Sequence, residues 1–271
     1  MLSLPTQPGA RFPWELGIFP LLEMGFFAAS VVAVESSVAW AAAFMVMGAV
    51  SLSFSIHIFF HECVHSRARY PAWFNWAATS LMGLPFDGYR IHHYNHHAFE
   101  NGPRDFSSTW RYAVARRHPY SAFAYALGWP RQLAAGVNCK LPFGDTPTAA
   151  DKIKQRIPAQ KIALVVTLLA ALACGWQSLM LYIGMIYLGW VFTSLHNYGQ
   201  HLPVAATGVT TYASPLYNAL FFNNGLHWEH HASPGLPWQG LAVNERSHRI
   251  GYPHIITSLL PTREAEIGKS I

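Results

Sequence analysis

Charge is what this sequence has least of. Asp, Glu, Lys and Arg make up 11% of its residues, where an average soluble domain carries about 25%. With 52% hydrophobic residues, the composition is that of a membrane protein rather than a free-standing soluble one. Cysteine is scarce too. Cys63, Cys139 and Cys174 are the only three and form no CxxC pair, which argues against a disulfide framework and against an iron–sulfur centre of the chain's own. The N-terminus lacks a charged stretch followed by a short apolar run and a small-residue cleavage site, so no signal peptide is expected. No lipidation box is present either. The formal net charge of +5 is not a nucleic-acid footprint. Twelve of the eighteen Lys and Arg are spread between His61 and Gln160, together with six acids.

What the chain does have is long apolar runs. Leu16 to Val34 is one, interrupted by Pro20 and Glu23, and Val38 to Phe60 is a cleaner second. About 20 apolar residues suffice to cross a bilayer as a helix. Glu35-Ser36-Ser37 leaves just enough for a tight hairpin between them. Lys161–Met180 and Leu181–Leu195 form a second apolar block, with Gly175-Trp176-Gln177 as the expected turn. That block is slightly short for two spans, so the second leans on His196–His201. The reading is an all-α integral membrane protein, a single domain over 1–271. Its four transmembrane helices form two hairpins, with spans at about 16–34, 38–60, 161–180 and 181–200. Residues 61–160 and 201–271 make a helical cap. Pro71–Pro85 and Tyr120–Val137 suit helices lying in the membrane interface. Lys140–Pro158 reads as a surface loop and Leu216–Leu226 as a short helix. The arginine-rich loop places the cap in the cytoplasm.

Histidine is the abundant chemical residue. Eleven of fifteen fall into four clusters: His61-Glu62-Cys63-Val64-His65, His92-His93-Tyr94-Asn95-His96-His97, His196-Asn197-Tyr198-Gly199-Gln200-His201 and His227-Trp228-Glu229-His230-His231. Imidazole is the commonest protein ligand for transition metals, and two clusters read HxxHH, which gathers i, i+3 and i+4 on one helical side. The expected topology brings all four clusters to one side of one membrane. HECVH also matches HExxH, the zinc metalloprotease pattern. A protease needs only one further ligand, which leaves seven or more histidines without a purpose. Glu62 then reads as a group orienting an imidazole. His57, deeper in the apolar run, reads as a core histidine. His196 is either a core residue or a ligand. His118, His248 and His254 stand alone in polar loops and read as surface.

His61-x3-His65, His93-x2-His96-His97 and His227-x2-His230-His231 resemble the three histidine boxes of the membrane fatty-acid desaturases. The run Asn223-Asn224-Gly225-Leu226-His227, followed by Pro234-Gly235-Leu236-Pro237-Trp238, is similar to the third box of bacterial members. Asn197-x3-His201 resembles the Asn and His supplied by the last span. The resemblance covers roughly Val38 to Trp238 and implies a non-haem di-iron centre in the cytoplasmic cap. Its ligands would be His61, His65, His93, His96, His97, His201, His227, His230 and His231. Asn197 would contact one iron directly or through water. His92 departs from the usual box, where a single histidine opens the motif. Asp87, Glu100, Asp105 and Glu229 are candidate carboxylates behind the ligands.

The resemblance further implies an O₂-dependent oxidoreductase that removes two hydrogens from adjacent methylenes of a fatty-acid or lipid acyl chain. The chain would lie in a channel lined by the spans and by Trp73–Phe86. O₂ is the co-substrate. Electrons would come from a separate ferredoxin- or cytochrome-like protein with its reductase, and no nucleic acid is involved. The expected location is a bacterial cytoplasmic membrane with the site on its cytoplasmic side. A hydroxylase or ketolase acting on a lipid, alkane or carotenoid is the nearest rival. A metal transporter is the rival from another class, but it should place ligands at the bilayer midplane.

Overall fold

The computed structural model describes residues 13–66, 70–115, 120–137, 153–202 and 208–260. These residues are helical throughout their regular parts. The one β pairing among them is an isolated bridge between Thr211 and Arg249.

Helices α1 (Trp14–Ala33) and α2 (Val38–His65) form the first hairpin. Its turn falls on Val34–Ser37, where the Ser37 hydroxyl accepts from the Trp40 amide at 3.3 Å. That bond satisfies one of the amide groups orphaned at the start of α2. α2 runs unbroken through HECVH, so the first histidine cluster is its last turn rather than the start of a loop. Just before the cluster, Ser55–Phe60 widens into a π-helical turn. Such a turn rotates the cluster relative to the membrane-buried part of the helix.

Among the described residues, five helices lie between the hairpins: α3 (Ala72–Met82), α4 (Phe86–Phe99), α5 (Trp110–Ala115), α6 (Tyr120–Leu127) and α7 (Trp129–Val137). Trp73 and Trp76 of α3 face outward, as a helix lying in a membrane interface requires. The second hairpin is α8 (Ile157–Ala173) and α9 (Trp176–Gln200). Between them the chain turns at Cys174 and Gly175, the latter with φ +117°, a conformation open to glycine. The expected border at 180/181 therefore lies inside α9. Nothing in the apolar run Met180-Leu181 stops a helix, whereas Gly175 does. Trp176 and Gln177, expected in the turn, already belong to α9. Among the described residues, α1, α2 and α9 are long and apolar enough to cross a membrane, and α8, with 17 residues, is shorter. Most of the expected 140–158 loop lies outside the described residues.

α2 and α9 approach through glycines. A Cβ added at Gly184, Gly48 or Gly189 would come within 2.5–2.8 Å of Met45, Met185 or Leu52 respectively. In lipid, where apolar burial gains little, close approach through small residues supplies dispersion contacts instead. The pairs 45/184, 48/185 and 52/189 advance together along both helices. α2 and α9 therefore run parallel and finish side by side, each on a histidine cluster.

Beyond α9 come α10 (Pro215–Leu220), α11 (His227–Ala232) and α12 (His254–Thr257). The helix expected to reach Leu226 stops at Leu220, because Phe222 and Asn223 turn left-handed at φ +50° and +63°. α12 docks on α9 at Gly199, where the His254 carbonyl leaves no room for a Cβ. His254, expected on the surface, is therefore fully buried. A lone histidine in a polar tail carries no sign that a glycine elsewhere receives it.

Candidate metal centre

Nine histidines converge in two sets. One holds His61, His65, His93, His97 and His230; the other holds His96, His201, His227 and His231. Within each set the ligand atoms lie within 4.8 Å of one another. Helical geometry explains the sorting. Residues i and i+4 are about 40° apart around a helix, whereas adjacent residues are about 100° apart. In α4, His93 and His97 face one set and His96 faces the other. α11 reverses this: His227 and His231 serve the second set and His230 the first. α2 gives its i, i+4 pair to the first set. Each HxxHH motif thus straddles both positions.

The nitrogens sit as neighbouring ligands would. Nε2 atoms face each other at 2.7 Å (His65–His93), 3.0 Å (His93–His97), 3.0 Å (His97–His230) and 2.8 Å (His201–His227). Metal–nitrogen bonds of about 2.1 Å at right angles put adjacent nitrogens about 3 Å apart. Both His61 nitrogens, and Nε2 of His96 and His231, are buried with no hydrogen-bond partner among the described residues. Buried polar atoms without partners are costly, and a cation in each set would satisfy them. Burial also pushes His93, His97, His201, His227, His230 and His231 well below the ordinary imidazole value of 6.5, with neighbouring histidines lowering them further. They are neutral at pH 7, the form that binds metal. The donor set fits two redox-active first-row ions such as iron.

What lies behind the two sets differs. In the second, the His96 Nδ1–H donates to Asp105 at 2.8 Å and the His201 Nδ1–H to the Gly208 carbonyl at 2.9 Å. His231 Nδ1 lies 3.2 Å from Glu100. These bonds fix the tautomer and leave Nε2 bare. Burial opposes ionisation of Asp105, but His96, His201 and the Ser107 amide outweigh it and hold the carboxyl well below the usual range. Asp105 also accepts from the Asn101 and Ser107 amides. It so ties down the left-handed turn at Glu100 and Asn101 that ends α4. The ligand-orienting and chain-capping roles, inseparable in sequence, belong to one residue.

In the first set no carboxylate bonds a ring among the described residues. Packing holds it instead. The Trp238 ring lies over His61 and His230, with centroids 4.8 and 4.7 Å away. Glu62, expected to orient an imidazole, instead accepts from the Trp238 backbone amide at 3.3 Å. Asn223 donates to the Trp238 and Leu241 carbonyls, and Asn224 to the His57 carbonyl. The Asn-Asn-Gly run is thus scaffolding that seats α11 and Trp238. In the sequence Trp238 merely ends a motif, and nothing there marks it as the wall of a histidine set.

Other candidates lie outside the sets. Asp87 binds Arg156, Arg90 and Gln160, joining α4 to α8. Glu229 accepts from Thr211 and Asn244. Neither touches a ligand ring. His92 points away, its Nε2 3.2 Å from the Ser107 hydroxyl, and burial lowers it to about 4. The extra histidine does not shift the box: its neighbour His93 is the one in the first set. His57 bonds the Thr193 carbonyl at 3.0 Å in the core. His196 stacks between His57 and His254, with centroids 4.3 and 5.3 Å away. His248 is exposed, and His118 lies outside the described residues. Asn197 is half-buried, its amide donating to the Tyr125 hydroxyl.

A cavity of about 60 Å³ touches both sets, through His61 and His93 on one side and His96 and His227 on the other. Its remaining walls come from α4, α6, α7, α9, Ser107 and His57. The Trp73–Phe86 segment, expected to line the substrate channel, supplies none of them. α3 is turned outward and packs on α8.

Neither curated proteins nor solved structures yield a match to this chain. The family model described as "Fatty acid desaturase" matches residues 36–250, a stretch that includes every histidine of both sets. The chain belongs to the fatty acid desaturase family.

Proposed function

We propose that this chain is an O₂-dependent di-iron oxidoreductase that removes two hydrogens from adjacent carbons of a fatty-acid or lipid chain. The observation that carries the reading is the sorting of nine imidazoles into a set of five and a set of four around bare nitrogens. An unactivated methylene offers no acidic proton and no leaving group, and iron, when bound, supplies the one-electron and O₂ chemistry that side chains lack. In the overall reaction two C–H bonds break and a C=C bond forms. O₂ takes up those two hydrogens with two further electrons and two protons, and leaves as two waters.

This chain's own residues position and shield. Asp105, Glu100 and the Gly208 carbonyl hold three of the second set's four rings by their Nδ1 atoms, and Trp238 closes one wall of the first against water. Asn197 would reach one iron directly or through water. The electrons require a separate ferredoxin- or cytochrome-like donor with its reductase. α8 would complete a fourth span by leaning on its flanks, and the cap would face the cytoplasm of a bacterial cell, following the basic loop.

The test is metal analysis and lipid profiling of the intact chain in membranes. Two irons per chain, reductant-dependent O₂ uptake and a new unsaturated species, all absent in His96→Ala, are expected. An oxygenated species instead of an unsaturated one would transfer the scaffold to hydroxylation or ketolation. One zinc per chain and no O₂ uptake would overturn the reading.

A further inference from the structure

The charge-free part of this chain does not stop where the last span stops. From Ile162 to Trp228 the sequence contains no Asp, Glu, Lys or Arg, although α9 ends at Gln200. Among the described residues, α10 is the helix that lies between Gln200 and His227, and its two sides are reversed. Pro215, Leu216, Ala219 and Leu220 face outward, with Leu216 72% and Leu220 60% exposed. Asn218 faces the protein and is buried. A helix in water turns its polar side out and its apolar side in. Single exposed leucines are ordinary, but an outward side made only of apolar residues marks a surface that meets something apolar.

The depth of α10 identifies that surface's partner. Two phenylalanines that follow the helix fix its position. Phe221 stacks on Phe54 with ring centroids 4.5 Å apart and planes 12° from parallel, and Phe222 meets Phe19 edge-on at 6.1 Å. Phe19 and Phe54 themselves stack at 5.6 Å, which closes a cluster of four rings. Phe19 belongs to α1 and Phe54 to α2, both long and apolar enough to cross a membrane. Phe54 lies about two helical turns before His61, so the cluster sits roughly 10 Å to the membrane side of the first histidine set. Tryptophan is enriched where hydrocarbon meets headgroups, and exposed Trp14 lies more than one turn to the cap side of Phe19. The four rings are therefore inside the hydrocarbon. Ile18, Leu21 and Leu22 of α1 are exposed too, so α10 extends a surface already turned to lipid.

We propose that α10 is a membrane foot: its outward side lies in the acyl region of the leaflet next to the cap. The foot is joined tightly to the third histidine cluster. The Asn218 side chain donates to the Tyr212 carbonyl at 2.9 Å and accepts from the Gly225 amide at 3.0 Å. Gly225 has no room for a Cβ between that side chain and the Tyr212 carbonyl. Two residues on, His227 opens α11, whose three histidines serve both sets. The foot therefore places α11 at a fixed height over the bilayer. This requires only that α1 and α2 cross a membrane, and it is independent of the reaction performed there.

The test uses the full chain in phosphatidylcholine vesicles, with Cys139 and Cys174 replaced by serine and buried Cys63 left in place. A bimane fluorophore is attached at Leu216→Cys or Leu220→Cys, exposed positions where the change disturbs little packing. Leu21→Cys, on the exposed side of α1, reports lipid, and Glu245→Cys, exposed in the cap, reports water. Phosphatidylcholine brominated in its upper acyl chains should quench the probes at 216 and 220 about twofold, as at 21, because an interfacial helix sinks its apolar side into the acyl boundary. Aqueous iodide should quench the probe at 245 and spare those at 216 and 220. Equal iodide quenching at 220 and 245 overturns the proposal, because the side then faces water. Protection from both quenchers overturns it as well, because a protein partner or a second copy then covers the side. Should the probe at 21 also escape brominated lipid, α1 is no span and the foot falls with it.

Discussion

The two histidine sets are built by opposite means. Five imidazoles of the first are held by packing, with α2 beneath them and Trp238 across two rings. Three of the second set's four imidazoles are held by directed hydrogen bonds and a polar contact from Asp105, the Gly208 carbonyl and Glu100. A carboxylate behind an imidazole raises its basicity and fixes its orientation, whereas a stacked indole fixes position without altering charge. With one ligand fewer, the second set depends more on each ring and on the groups that aim it. The first has a ligand in reserve and depends on shape.

That contrast can be broken most forcefully by deleting ligands. His96→Ala leaves three imidazoles in the second set and should lose one iron of two, with activity down by more than about 100-fold. His65→Ala leaves four in the first and should retain more iron. Iron quantified per chain by mass spectrometry decides it, and equal losses would erase the distinction. Asp105→Asn comes next. It should weaken iron at the second set alone by roughly 10–100-fold, seen in metal titrations as one tight and one weak site, while uniform weakening would mean Asp105 serves the fold as a whole.

Trp238→Phe keeps an aromatic wall but shrinks it, and should weaken the first set only a few-fold, with the Asp105 variant's pattern reversed. The smallest effect is expected from His92→Gln, outside both sets. Iron should stay at two per chain. Because burial lowers His92 from 6.5 to about 4, its contribution to stability is intact above pH 6.5 and is lost as pH falls toward 4, where the unfolded chain takes up a proton that the folded one refuses. Between pH 7 and pH 6 that is on the order of 1 kcal/mol or less. The metal-free variant should lose correspondingly less stability in thermal melts across that interval.

The histidine sets and the hairpins are legible because both rest on local periodicity. Apolar runs bounded by Glu35-Ser36-Ser37 read directly as two helices and a turn, and i, i+4 spacing reads as a shared face. Which set each histidine joins is not legible, since the 100° step that parts His96 from His97 matters only once two positions exist in space. Equally hidden are features that depend on distant backbone: His254 received by Gly199, Glu62 diverted to the Trp238 amide, and α3 turned away from the cavity.

The chain order of the ligands has a consequence for how the protein matures. Four of the first set's five imidazoles lie within the first 97 residues, whereas three of the second set's four come from residue 201 onward. A ribosome-bound intermediate therefore owns a nearly complete first pocket while the second exists only as His96. The later pocket needs the carboxy-terminal quarter of the chain and the seating of His254 against α9, so the packed pocket can take shape before the hydrogen-bonded one.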